Sequence, residues 1–155
     1  MSDEVRVNGR LADGSITIKL RGKEYYGFTE ITYGDGVEVT KVWGLGKHRG
    51  ARGRTKGKYD AEDTTLKGPK STIESLFADL KSISSDGAIS TPEFPITVAY
   101  VDGTKTFVDT IKQCRVLKRK AGPPASDSSD AVIDELTLSV MSIDWNGNTM
   151  FVKVA

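Results

Sequence analysis

Between Lys41 and Lys58 the chain carries seven Lys or Arg residues, its only histidine (His48), five glycines and no acidic residue. Strand-like runs stand on both sides of it. Such a segment cannot enter a core, because its charges resist burial unless paired, and its glycines favour backbone shapes that other residues avoid. It is expected to project as an arm over about residues 41–58, a long basic loop or hairpin. A loop of that length inside a compact domain is uncommon and is usually either functional or disordered. What the arm touches is therefore the functional question, and nucleic acid and another protein subunit are the two candidates.

At 155 residues the chain predicts one domain spanning 1–155. A chain of this size typically buries about 70% of its unfolded surface, enough for a core without disulfides or metals. Cys114 is the only cysteine, so an intrachain disulfide and a cysteine-based zinc cluster are both excluded, and it reads as a small buried hydrophobe. The net charge is only +1, yet residues 121–152 hold five acids (Asp127, Asp130, Asp134, Glu135 and Asp144) and no basic residue. A free-standing nucleic-acid binder usually shows a positive excess over the whole domain. A subunit that docks head to tail on copies of itself needs opposite patches on different surfaces, and the chain fits that case better. The polar start Met1-Ser2-Asp3-Glu4 and the lack of a long apolar run predict a soluble protein made in the cytoplasm, with no membrane contact.

Alternation in Ile16-Thr17-Ile18-Lys19-Leu20 predicts a half-buried strand with Ile16, Ile18 and Leu20 on one face. Residues 24–33 and 37–43 are β-prone, and Gly34-Asp35-Gly36 between them reads as a tight hairpin connection. The return segment, about 58–66, is polar on both faces, so its edge is expected to need a partner from outside the chain. Ser71-Thr72-Ile73-Glu74 has the form of a capping box. The apolar stripe Ile73, Leu76, Phe77 and Leu80 then predicts a helix over about 70–82 that covers a β-sheet. Asp102-Gly103 and Asn146-Gly147 are type I′ hairpin signals between β-prone runs, and 112–119 reads as a separate strand. Prolines and small polar residues make about 120–131 a flexible loop. The sum, eight or nine short strands and one helix, predicts a mainly β fold: a β-sandwich or barrel with the helix against one sheet or plugging one end.

No catalytic set can be assembled, so an enzyme is not expected, and no cofactor or metal is implied. His48 lacks a nucleophile or ligand partner in sequence. The Gly-Lys pairs at 46–47 and 57–58 are followed by His48 and Tyr59, where a phosphate-binding loop requires Ser or Thr. Asp60, Glu62 and Asp63 lack the glycine and terminal glutamate of a calcium loop, and pairing with arm cations accounts for them. Arg49-Gly50 and Arg52-Gly53-Arg54 match Arg-Gly segments that contact single-stranded nucleic acid, with Trp43 and Tyr59 available for stacking. A β-barrel nucleic-acid-binding module using the arm as a clamp is therefore the competing reading.

The order of elements is similar to that of phage tail tube proteins, a family that also resembles the tube subunits of contractile injection systems. The likeness covers about residues 16–154. It rests on the strand pair before the long basic arm and on the polar return segment Lys58-Tyr59-Asp60-Ala61-Glu62-Asp63. The short helix from Ser71 to Leu80, the run Ile96-Thr97-Val98-Ala99-Tyr100 and the closing hairpin around Asp144 to Asn148 complete it. The resemblance implies a structural virion protein whose copies form hexameric rings, stacked head to tail into a tail tube through which DNA is ejected. It implies strands shared between copies in one continuous barrel and an arm that reaches a neighbouring subunit or the next ring. Tape measure, sheath or tail terminator proteins would be further partners, and the virion tail the location. On this reading the subunit interface draws on Trp43, Lys47, Arg49, Arg52 and Arg54 of the arm, meeting Asp127, Asp130 or Asp134 of another copy.

Overall fold

The computed structural model describes residues 3–38, 41–43, 51–54, 58–121 and 133–149. Its strands before the helix are β1 (Asp3–Val7), β2 (Arg10–Leu20), β3 (Lys23–Tyr25), β4 (Glu30–Thr32), β5 (Asp35–Glu38), β6 (Lys41–Trp43), β7 (Ala51–Arg54), β8 (Lys58–Ala61) and β9 (Thr64–Pro69). The helix α1 (Lys70–Ile83) precedes β10 (Phe94–Asp102), β11 (Lys105–Ala121), β12 (Ile133–Ser139), β13 (Ser142–Trp145) and β14 (Asn148–Thr149).

Seven of these strands close on themselves in the order β10-β2-β1-β4-β9-β12-β11, with β11 returning to β10. A ring with an odd number of strands cannot be antiparallel throughout. The single parallel contact, β1 with β4, resolves the parity, and the β2–β3 excursion supplies the crossover that a parallel pair needs. The fold is thus a barrel, not a sandwich. Gly14 lets β10 close onto β2, since a Cβ there would meet the Ala99 carbonyl oxygen at 2.2 Å.

Inside the barrel lie Val5, Val7, Ile16, Ile18, Ile31, Leu66, Ile96, Val98, Ile111, Leu136 and Leu138, all buried and taken from alternate positions of their strands. Cys114 is buried too, and burial pushes its thiol up to about 12, so it stays protonated and inert.

Several local expectations are corrected. Gly34-Asp35-Gly36 is not a hairpin between neighbouring strands, because β4 stays in the barrel with β9 while β5 pairs with β8. The return segment consequently finds its partners within its own chain, β8 on β5 and β9 between β4 and β12. Residues 105–121 form one strand instead of two, bent at Gln113, whose positive φ of 54° marks a bulge. At the β10–β11 turn only Gly103, at φ +67°, is left-handed, the pattern of a II′ turn and not of type I′. Asn146-Gly147 is left-handed at both residues, as the sequence predicts, and Asn8-Gly9 joins β1 to β2 in the same way.

The helix occupies Lys70–Ile83, close to the predicted span, with Ile73, Leu76 and Leu80 buried as expected and Phe77 packed against the core. The capping box does not form. Pro69 precedes the first turn with extended backbone and no side-chain cap, and Glu74 turns instead to Arg119 on β11 at 2.7 Å. Arg119 also holds Asp134 of β12 at 2.5 Å and stacks over the Phe77 ring at 4.9 Å. Toward the other end of the helix, Asp79 receives Lys23 at 3.0 Å and the Tyr25 hydroxyl. The helix is therefore tied to β11 and β3 across the end of the barrel where β9 finishes.

Asp134 is 2% exposed, so Arg119 neutralises a carboxylate that has no route to water. Removing one partner of such a pair strands the other. Arg119→Leu is expected to lower stability by about 3–5 kcal/mol in denaturant titration, with the helix signal lost in the same transition as the barrel.

Candidate assembly interface

The arm is a β-hairpin anchored on one end of the barrel. Its base is the β5–β8 ribbon, with Asp35 opposite Ala61 and Glu38 opposite Lys58. Pairing appears again at β6–β7, where Lys41 lies opposite Arg54, Val42 opposite Gly53 and Trp43 opposite Ala51. The five arm residues that the sequence singles out divide accordingly: Arg52 and Arg54 sit on β7 and Trp43 on β6, whereas Lys47 and Arg49 lie outside the described residues.

What fixes the arm to the barrel is a set of aromatic and carboxylate side chains drawn from distant parts of the chain. The Trp145 indole Nε1–H donates to Asp35 Oδ1 at 2.8 Å, and the Tyr59 hydroxyl donates to Asp35 Oδ2 at 2.7 Å. The Ile143 amide donates to the Tyr59 oxygen at 3.1 Å, so β13 grips both limbs of the arm. Below them Tyr33 packs against Trp145 with ring centres 5.2 Å apart and donates its hydroxyl to Asp109, which is 2% exposed. The Tyr33 amide donates to Asn8 Oδ1 at 2.8 Å, and the Glu62 amide to the Gly34 carbonyl at 2.9 Å, which fixes the chain where it leaves and re-enters the barrel. Hydrogen bonds to a charged group are worth about 1.5–3 kcal/mol each. The one from Trp145 ties the base of the ribbon to β13, and the one from Tyr59 ties its two limbs together.

Sequence reasoning did not single out this anchor. Asp35 reads locally as a turn residue, and its partner Trp145 is 110 positions away. The tyrosines and Trp145 stand in β-prone runs where aromatic residues are ordinary.

The acids named as docking partners fall differently. Asp127 and Asp130 lie outside the described residues, between Ala121 and Ile133. Asp134 is buried and bonded to Arg119 of its own chain, a placement that takes its carboxylate off the surface. Ala121 and Ile133, the flanks of that acidic segment, lie opposite Asp134 and Pro69 in register, beside the start of the helix. The arm departs after Thr32, opposite Thr65, and returns at Thr64. Since β9 runs from Thr64 to Pro69, basic arm and acidic segment leave the barrel at opposite ends. Among the described residues, no group of His, Cys, Asp and Glu is placed to hold a metal ion, and none of the helices is long and apolar enough to cross a membrane.

No protein-family model matches the chain, and none of the curated proteins matches it in sequence. Solved structures do share its fold. A chain of the sixfold-symmetrised baseplate of the anti-feeding prophage superposes over 95% of this chain and 96% of its own, with a TM-score of 0.61 at 10% identity. A chain of the sheath–tube complex of the PVC extracellular contractile injection system, in its extended state, matches over 83% and 85%, with a TM-score of 0.55 at 13% identity. A crystal structure of an Hcp protein matches over 85% and 91%, with a TM-score of 0.51 at 10% identity. At these identities the likeness is one of fold, and it agrees with the fold that the tail tube resemblance implies.

The anchor makes two expectations. Trp145→Phe keeps the ring but removes the indole donor, so amide exchange in 36–38 and 58–61 should speed up by about tenfold or more, the loss of roughly 1.5–3 kcal/mol at a charged acceptor, while exchange in β2 and β10 is unchanged. Burial, followed by the bond to Asp35, pushes the Tyr59 hydroxyl up to about 12 from 10.0, against the pull of the Ile143 amide. Because the folded state holds the protonated form, the stability that Tyr59 contributes is complete below about pH 10 and is lost as pH rises toward 12. In an ultraviolet tyrosinate titration, Asp35→Asn should bring one tyrosine back toward 10.

Proposed function

We propose that copies of this chain assemble into hexameric rings that stack head to tail as the tube of a phage tail or phage-like particle, a conduit for DNA. The observation that carries this reading is the departure of a basic arm and an acidic segment from opposite ends of a closed barrel. Between Lys41 and Lys58 stand seven cations and no acid, and the segment between Ala121 and Ile133 holds Asp127 and Asp130 and no cation. A basic segment leaving one end and an acidic segment leaving the other can make heterologous contacts between copies, and such contacts propagate along an axis. The shared fold with a chain of a sheath–tube complex supports the same reading.

In this assembly Lys47, Arg49, Arg52 and Arg54 of one copy meet Asp127 and Asp130 of the next. Exposed pairs are worth about 0–1 kcal/mol each, so several must act together with apolar burial, for which Trp43 is the arm's largest side chain. The chain's role is structural, and a terminator, a sheath and a tape measure protein are the partners such a tube has along its length.

Deleting residues 45–55 removes the arm beyond β6 and leaves the anchor intact. That variant should stay folded, with thermal unfolding within a few degrees of the full chain, and should sediment as small species under conditions in which the full chain forms tubes by negative-stain microscopy. Normal tubes from the deletion would overturn the proposal.

A further inference from the structure

The outer surface of the barrel has two unlike walls. Across β4, β9, β12 and β11 one row of outward positions reads Glu30, Lys67, Glu135 and Lys120, charge alternating strand by strand, with Lys67 paired to Glu30 at 3.5 Å. Across β2, β10 and β11 the rows read otherwise. Thr17, Thr97 and Thr110 stand side by side, then Ser15, Ala99 and Val108, then Asp13, Val101 and Thr106. The positions between them, Ile16, Ile18, Ile96, Val98 and Ile111, point into the core, so all nine face outward.

This patch carries a single charge, Asp13, in a chain that is 28% charged. The lysines bordering it are neutralised within the chain, Lys19 by Glu24 at 3.4 Å and Lys112 by Asp144 at 4.0 Å, and Lys105 at the hairpin tip lies opposite Asp102. It does not have the composition of an interface core, which is enriched in aromatic residues, Met and Arg and depleted in Ser. Its nine side chains include none of the enriched types and five hydroxyls, which water satisfies.

We infer that this wall faces the channel of the tube, where it presents a passing polyanion with a hydrated surface that has no cation to hold it. The inference rests on the tube reading above. Phosphate contacts with Lys and Arg supply most of the sequence-independent affinity of proteins for nucleic acid. A wall with none of them, and with one acid, lets the strand slide.

Val108 is 41% exposed and tests the assignment, since buried Cys114 gives little background. In Val108→Cys tubes a small maleimide should label nearly every subunit, while a maleimide carried on a bulky globular protein should label almost none; before assembly both should react. Resistance to the small reagent in tubes would place the wall in a subunit contact, and reaction with both would place it outside; either overturns the inference. If Val108→Cys forms no tubes, Thr106→Cys and Val108→Thr are measured, and failure of these to assemble also overturns it. Failure of the unaltered chain to form tubes would instead sink the tube reading, so the two are told apart. As a second readout, Thr97→Lys with Val108→Lys should make tubes retain DNA at low salt and release it as salt rises.

Discussion

Because β11 pairs with β10 along its first half and with β12 along its second, the barrel has no free end, and the rest of the molecule is arranged around that closure. An open sheet would present two edges to every other copy, and pairing there would be hard to control. Closure moves the contacts available for assembly onto walls, loops and the arm, where side-chain chemistry sets the partner. The bend at Gln113 is what allows one strand to serve both sides, and the parallel β1–β4 contact is its topological counterpart. The helix then covers one end, and the charges that tie it down are spent inside the chain: Asp134 on Arg119, Asp79 on Lys23 and Tyr25.

At the other end the arm needs a different solution. Its own sequence is too cationic and too rich in glycine to enter the core, and among the described residues it is the base that the barrel holds. Asp35 does this by accepting from Trp145 and Tyr59, residues of β13 and of the returning limb. One carboxylate thus joins both limbs to the wall, and Tyr33 beneath it is fixed by buried Asp109. Ordering the base of the ribbon in advance lowers the ordering cost of any contact that the arm makes.

Much of the architecture was legible from periodicity. The helix follows from Ile73, Leu76, Phe77 and Leu80, and the strand at Ile16 to Leu20 from strict alternation, because both patterns are set by local geometry. Errors arose where a local signal had a distant competitor. Glu74 left the capping box for Arg119, forty-five positions on, and Gly34-Asp35-Gly36 looked like a turn because the partner of β5 lies beyond the whole arm. The polar return segment seemed to lack a partner for the same reason, since its pairing is with β5 and, past Asp63, with barrel strands that burial on one face only disguises. The anchor was invisible, as no spacing in the chain links Asp35 to Trp145.

The near-zero net charge then takes on a physical meaning. A chain with +1 overall could carry its cations and acids interleaved, and the wall formed by β4, β9 and β12 does so. Along the chain two segments are sorted instead, cations in 41–58 and acids in 127–135. At physiological salt charges are screened beyond about 8 Å, so segments of this kind attract opposite charge only at close range. The wall of β2, β10 and β11 follows neither pattern, since Asp13 is the one charge among its nine outward positions.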